Sequence, residues 1–121
     1  MTKIITIKLL AIGVIVRGFV HIAATFSPMI ADKLTPLGEG MQRACIYFSL
    51  MCGEMLILGG SIVHMLCGKA KEHSFLRTPL LLTYSMLVVD GILAVCFMPH
   101  NPCAWVIFVL SILLLVVPKY K

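Results

Sequence analysis

The chain has 121 residues, of which 60% are hydrophobic and 12% are charged, and its mean hydropathy is +1.05. A soluble domain carries about 45–50% apolar and about 25% charged residues, and a globule this small cannot enclose such an apolar excess. Composition therefore excludes an ordinary soluble domain and indicates a single domain that exposes apolar surface to lipid. The net charge of +5 does not indicate nucleic-acid binding, because the basic residues stand singly or in pairs at the ends of apolar stretches.

Four apolar stretches predict four membrane-spanning helices in one all-α domain. Each is bounded by polar or helix-breaking residues, such as Ser27-Pro28 after the first and Thr78-Pro79 before the third. The fourth is shorter than the about 20 residues that cross a ~30 Å hydrocarbon core, but it carries no charge, and Trp105 near its start suits an interfacial anchor. The predicted spans cover residues 9–29, 44–67, 79–97 and 102–118.

The first stretch begins like a signal peptide, because Lys3 and Lys8 precede a short apolar run. The run continues well past Arg17 and His21, which is not typical of a cleaved leader. We therefore expect the first stretch to remain in the protein as a membrane span.

The positions of lysine and arginine predict the orientation, because positively charged short loops stay in the cytoplasm. Lys33 and Arg43 fall on the predicted outer side, and the other loop and terminal residues of this kind fall on the inner side. The expected topology is an antiparallel four-helix bundle with both termini in the cytoplasm, since short connections join neighbouring helices. The expected location is a plasma membrane of the bacterial inner-membrane kind. The inner-side residues are Lys3, Lys8, Lys69, Lys71, Arg77, Lys119 and Lys121.

Ionisable side chains stand close to the middle of three of these stretches. Arg17 and His21 lie in the first, Glu54 in the second and Asp90 in the third. A charge at that depth costs at least ~3 kcal/mol. At about 1.5 Å per residue, Asp90 is level with His21, whereas Arg17 is closer in depth to Glu54. We therefore expect these four residues to meet inside the bundle as a site that binds a ligand or a proton.

The charges of this set do not cancel. One arginine (+1) and two ionised carboxylates (−2) leave −1, so a proton on His21 or on either carboxylate, or a cationic ligand, would neutralise the site. The set thus predicts a titratable or cation-binding pocket that opens toward the outer leaflet. The alternative is a structural ion cluster, because buried ionic groups can fix helix packing without any ligand.

Helical spacing assigns faces to the residues around these charges. Arg17 and His21 are four residues apart and share a face. Four apolar residues of the same stretch are expected to face lipid: Ile15, Phe19, Ile22 and Phe26. Four polar residues of the second and third spans are expected to lie around these charged side chains and to interact with them: Tyr47, Ser61, Thr83 and Tyr84.

Spacing indicates no other chemistry. His21 and His64 lie at different depths, so they cannot both ligate one haem, and we expect no cofactor. No triad order or metal-ligand spacing is present, so neither a catalytic residue nor a metal site is assigned. Glu54 and His21 could serve as acid and base in an isomerase-like membrane enzyme that acts on a lipid or isoprenoid, and this stays an alternative.

The five cysteines do not indicate a disulfide scaffold, because they are scattered and no Cys-x-x-Cys occurs. Cys45, Cys96 and Cys103 all fall toward the predicted outer side. In an oxidising compartment Cys103 could pair with either of the other two, and the sequence leaves that pairing open.

The size of the chain and its four predicted spans resemble those of the small multidrug resistance exporters, which act as dimers around one membrane glutamate in their first helix. The intramembrane glutamate of this chain, Glu54, stands in the second span, and the first carries Arg17 and His21 instead. The resemblance therefore concerns architecture alone and transfers no site residue.

The favoured hypothesis is binding or transport of a small cationic or amphiphilic molecule, coupled to protonation of the intramembrane set. Expected partners are the lipid bilayer, that small molecule and further copies of the chain, since four short helices enclose little volume. The alternatives are an accessory membrane subunit, in which the set locks helix packing, and the less favoured membrane enzyme.

Overall fold

The computed structural model describes residues 2–117, and this part of the chain is helical with no strand. The all-α fold class predicted from the sequence is thereby confirmed. The predicted end of the last span at Pro118 and the basic residues Lys119 and Lys121 lie outside the described residues. The helices are α1 (Thr2–Thr25), α2 (Pro28–Leu34), α3 (Glu39–Leu66), α4 (Arg77–Phe97) and α5 (Pro102–Val116), with 3₁₀ turns at Lys69–Lys71 and Ser74–Leu76 between α3 and α4.

Three of these helical segments are long and apolar enough to cross a membrane. They are α1, α3 and the segment Ser74–Phe97, which contains α4. Large apolar side chains are exposed along all of them, and a soluble monomer rarely exposes so much contiguous apolar surface. The chain therefore has the features of a membrane protein. Helix α5 is more apolar than these segments but has only 15 residues.

The helix ends follow from local chemistry at one end of the bundle, which we call the α2 end. Helix α1 stops at Thr25, before the predicted residue 29, because Ser27 precedes a proline and takes an extended backbone with ψ of 148°. Pro28 then opens the short helix α2. At the same end Asn101 caps α5 by accepting a hydrogen bond from the Cys103 amide at 3.0 Å.

The helices pack as two pairs. Helix α1 makes its main contact with α3, and α4 makes its main contact with α5, while smaller α3–α4 and α1–α5 contacts join the pairs. In the second pair Gly91 allows the backbone of Phe108 to approach closely. Between the pairs, Gly59 of α3 packs against Leu87 of α4. A continuous buried apolar core runs between all four long helices.

The α1–α3 contact is close because glycine occupies both sides of it. A methyl group at Gly18 would lie 2.8 Å from the carbonyl oxygen of Gly53, and one at Gly60 would lie 2.8 Å from the carbonyl oxygen of Ala11. Backbone atoms cannot move aside as a flexible side chain can, so these positions admit only glycine at this separation. Small residues at helix contacts are the usual basis of tight association in lipid.

The prediction that Ile15 and Ile22 face lipid is wrong. Ile15 lies beside Gly60 and Ile22 beside Gly53, so each isoleucine fills the space that a glycine of α3 leaves. Phe19 and Phe26 are exposed, as expected for lipid-facing side chains. The face of α1 that packs against α3 is therefore rotated by part of a helical turn from the face that the sequence predicts.

The glycine contact predicts a clear difference between two substitutions in α1. Gly18→Ala should lower the free energy of unfolding by about 1–3 kcal/mol, because the added methyl collides with the α3 backbone. Gly13→Ala is the matched control, since a methyl there would lie 3.6 Å from Leu110 at ordinary contact distance and should change stability by less than about 0.5 kcal/mol. Unfolding by sodium dodecyl sulfate in mixed micelles measures both. Equal effects would contradict the packing described.

Candidate functional site

A chain of hydrogen bonds joins α1 and α3 near the α2 end. The Thr25 hydroxyl donates to the carbonyl oxygen of His21 at 3.0 Å, and its oxygen lies 2.7 Å from the Ser49 hydroxyl oxygen. The Ser49 oxygen lies 3.2 Å from Nε2 of His21. Each hydroxyl has one hydrogen, so Ser49 donates to Thr25 and Nε2 of His21 donates to Ser49. Nδ1 is then the ring atom of His21 that would accept a further proton.

Asp90 of α4 and Arg17 of α1 add two charged side chains near this hydrogen-bond chain. The Cys52 thiol of α3 donates to the Asp90 carboxylate of α4 over 3.6 Å. Arg17 of α1 reaches toward the start of α5, where its Nε donates to the carbonyl oxygen of Cys103 at 3.5 Å. These side chains are all partly buried. We call the six residues that contribute these side chains the polar cluster: Arg17, His21, Thr25, Ser49, Cys52 and Asp90.

His21 senses both charges of the polar cluster, that of Arg17 and that of Asp90. It is close enough to Arg17 and to Asp90 to interact electrostatically with both. The opposite charges of Arg17 and Asp90 cancel, so the polar cluster is neutral when His21 is neutral. A proton on His21 would bring it to +1, and a proton on Asp90 would have the same effect. The site can therefore change its charge by one without disrupting its hydrogen bonds to Ser49.

The structure does not bring Glu54 into the polar cluster. Glu54 is exposed on the side of α3 that faces away from α1. No hydrogen bond or ion pair joins it to any other residue in 2–117; the ion pair of that region is Arg43 with Glu39, at the exposed start of α3. The structure thus unites three of the four residues of the predicted set and leaves the fourth on the surface.

The four polar residues that were predicted to surround the charges are also divided between the surface and the interior. Tyr47 is exposed on the side of Glu54, and the Ser61 hydroxyl donates to the carbonyl oxygen of Ile57 in its own helix. Thr83 is buried and donates to the carbonyl oxygen of Pro79, also in its own helix. Tyr84 is buried in the apolar core. The side chains that bond to the predicted site residues are instead Ser49, which bonds to the His21 ring, and Cys52, which bonds to Asp90, while Thr25 bonds to Ser49.

Sequence reasoning missed these three residues, although a signal was present. Thr25 follows His21 by four residues, which places the two on one helix face. Ser49 stands one helical turn before Gly53, the residue that touches α1, and Cys52 stands directly before it. Ser27, two residues past Thr25, was also missed; its hydroxyl oxygen is buried and has no partner among the described residues. Such a group is typical of a place where water or a ligand binds.

Other site types find no support among the described residues. No group of three or more His, Cys, Asp or Glu side chains is placed to hold a metal ion within residues 2–117. The five cysteines are all free. An open apolar groove on α5, beside Trp105 and Val109, contains no polar side chain of the cluster. Comparison with protein-family models, with curated proteins and with solved structures finds no match.

The hydrogen-bond chain predicts a specific role for Ser49. Ser49→Ala should lower the free energy of unfolding by about 0.5–2 kcal/mol, because His21 and Thr25 both lose a partner in a low-dielectric interior. Ser61→Ala in the same helix is the matched control, since that hydroxyl bonds only to its own helix, and it should cost less than about 0.5 kcal/mol. Detergent unfolding of both variants checks this, and a Ser61 effect as large as that of Ser49 would contradict it.

Proposed function

We propose that the chain is a small membrane protein that binds, and transports, a small cationic or amphiphilic molecule at the polar cluster. His21 and Asp90 exchange a proton for the cation, and Arg17 sets their electrostatic environment. The observation that supports this most directly is His21 itself, a titratable ring that is hydrogen-bonded to Ser49 of α3 and close enough to Arg17 and Asp90 to interact electrostatically with both. Ionisable groups inside membrane spans are functional by default.

Two further features support a ligand site here. The polar cluster lies at the α2 end of the bundle, where α1 ends four residues beyond His21. A ligand can therefore arrive from the aqueous side without crossing the apolar core. The Ser27 hydroxyl, two residues past Thr25 in the chain, is buried and has no protein partner among the described residues, and a bound molecule or water would satisfy it.

The second candidate function is an accessory membrane subunit whose polar cluster locks the helices together. The supporting observation is that Arg17 and Asp90 balance in charge while hydrogen bonds tie α1, α3, α4 and α5 together. A balanced, internally bonded cluster is what a structural lock requires. The two functions differ in what the removal of one charge does.

The proposal includes a topology of four antiparallel spans with both termini in the cytoplasm. Helix α5 serves as the fourth span, although its 15 residues extend only about 22 Å. The support is the excess of lysine and arginine at the end of the bundle opposite α2. The proposed location is a plasma membrane, in which lysine- and arginine-rich loops stay on the cytoplasmic side.

Asp90→Asn distinguishes ligand binding from a lock. For a binding protein, the variant should stay folded and bind the cationic amphiphile tetraphenylphosphonium at least about tenfold more weakly, since one charged contact is lost. For a lock, it should instead lose about 3–5 kcal/mol of stability. Calorimetric titration and thermal unfolding in detergent measure the two effects, and Asp32→Asn on exposed α2 is the matched control that should change neither.

Proton exchange predicts a second result with the same probe. At a pH at which His21 or Asp90 carries the extra proton, binding of tetraphenylphosphonium to the wild-type protein should release protons into a weakly buffered solution, as measured with a pH indicator dye. His21→Gln should bind the probe with a smaller proton release, because the amide cannot carry the exchanged proton. Binding without any proton release in the wild type would contradict exchange at this site.

The topology is checked by reporter fusions. Alkaline phosphatase is active only outside the cytoplasm, so it should be inactive when fused after the last residue and active when fused after Thr35 or Asn101. Green fluorescent protein at the same positions should give the opposite pattern. An active phosphatase at the C-terminus would contradict the assignment of α5 as a span.

A further inference from the structure

Helix α3 carries two lines of residues that follow the alternating spacing of four and three typical of helix pairing. One line lies inside the bundle and includes the glycines that touch α1. The other begins two residues earlier, which is about 200° around the helix, so it faces away from the bundle. We call this second line the outer seam: Tyr47, Met51, Glu54, Leu58, Ser61 and Met65.

Every residue of the outer seam except the half-buried Ser61 is exposed in the single chain. Tyr47 is 59% exposed, Leu58 63% and Met65 68%, and Met51 and Glu54 are exposed as well. From Tyr47 to Met65 the seam extends 18 residues, or about 27 Å of helix. This length matches the ~30 Å thickness of the hydrocarbon core. The whole seam would therefore face the apolar part of a bilayer.

Contact with lipid alone is unfavourable for this face because it carries Glu54. It is the sixteenth residue of the 28 in α3, so it stands near the middle of the seam. Its side chain is too short to reach either headgroup layer, and it has no hydrogen-bond or ion-pair partner in residues 2–117. A lipid-facing carboxyl group at this depth is costly. A protein surface that supplies a polar group at the same depth would remove the cost.

We propose that the outer seam is the interface with a second copy of this chain, with the two α3 helices side by side in the same orientation about a two-fold axis. Such symmetry places each residue of the seam opposite its own equivalent. Glu54 then meets Glu54 of the partner subunit, and the two carboxyl groups can hydrogen-bond across the axis. A single polar pair in an otherwise apolar seam fixes both register and two-strandedness.

A second copy fits this surface better than a foreign partner does. Copies of one chain insert with the same topology, so their seams have the same length and bring Glu54 to the same depth without any adjustment. Ser61 and Tyr47, one helical repeat to either side of Glu54, would also meet their own equivalents and can hydrogen-bond across the axis. This interface does not include the polar cluster, so it stands independently of the proposed ligand binding.

Fluorescence energy transfer between copies in liposomes tests the proposal. Donor and acceptor fluorescent proteins fused at the N-terminus should show transfer that falls on dilution with lipid, with a stoichiometry of two. Glu54→Gln should keep association, because paired amides hydrogen-bond as paired acids do, whereas Glu54→Ala should weaken it about threefold to tenfold. Leu82→Ala on α4, 66% exposed in the wild type, is the control that should leave association unchanged.

Cross-linking then locates the interface. In a chain whose native cysteines are replaced by alanine, Leu58→Cys should form a disulfide-linked dimer in membranes, and Leu82→Cys should not. A wild-type protein that stays monomeric at every lipid dilution would overturn the proposal, as would unchanged association of Glu54→Ala or a dimer linked through Leu82→Cys alone. Should the cysteine-free chain fail to fold, the energy-transfer series decides the question by itself.

Discussion

The close backbone contact between α1 and α3 is the constraint on which the rest of the molecule depends. Gly18, Gly53 and Gly60 bring the two backbones together and leave space only for the isoleucines packed against them, so α3 can rotate very little about its axis. That fixed rotation places Ser49 beside His21 and turns Glu54 away from the bundle. The polar cluster and the outer seam are thus two consequences of one apolar contact.

The polar groups of the long helices are stabilised mostly by hydrogen bonds to a neighbouring helix. Arg17 uses a carbonyl at the start of α5, Asp90 uses a thiol of α3, and His21 uses a serine that also serves Thr25. Each is a hydrogen bond between helices, and each is worth more in a dry interior than at an exposed surface. Within the described residues, Glu54 is the intramembrane charge for which the chain supplies no such partner.

The sequence predicted what depends on local composition and depth. The helical class and the apolar stretches follow from hydropathy and helix breakers, and the convergence of Arg17, His21 and Asp90 follows from counting residues along each span. The rotation of α3 could not be obtained in this way, because the helix shows the same spacing on two opposite faces. The face of α3 that carries Glu54 was predicted to be the inner one because Glu54 is charged. In the structure, the face that carries the glycines touches α1 instead.

The isoleucines of α1 illustrate the same limit. Bulky apolar side chains suit lipid and suit a glycine-lined groove equally well, so composition alone does not separate the two environments. Ile15 and Ile22 are placed against Gly60 and Gly53 by a tertiary contact that no property of α1 by itself specifies. Ser49 and Cys52 were missed for a related reason, since each is an ordinary small residue until a neighbouring helix brings a charge beside it.

As the proposed fourth span, the short α5 gives the bundle an uneven hydrophobic thickness. Its 15 residues reach about 22 Å, whereas the neighbouring α1 and α4 have 24 and 21 residues. A bilayer adapts to such a mismatch by thinning around the shorter helix, which draws headgroups and water inward. Arg17 points to the first turn of α5, where that indentation would form. The energy of its charge, and with it the state of the neighbouring histidine, would then depend on the thickness of the surrounding membrane.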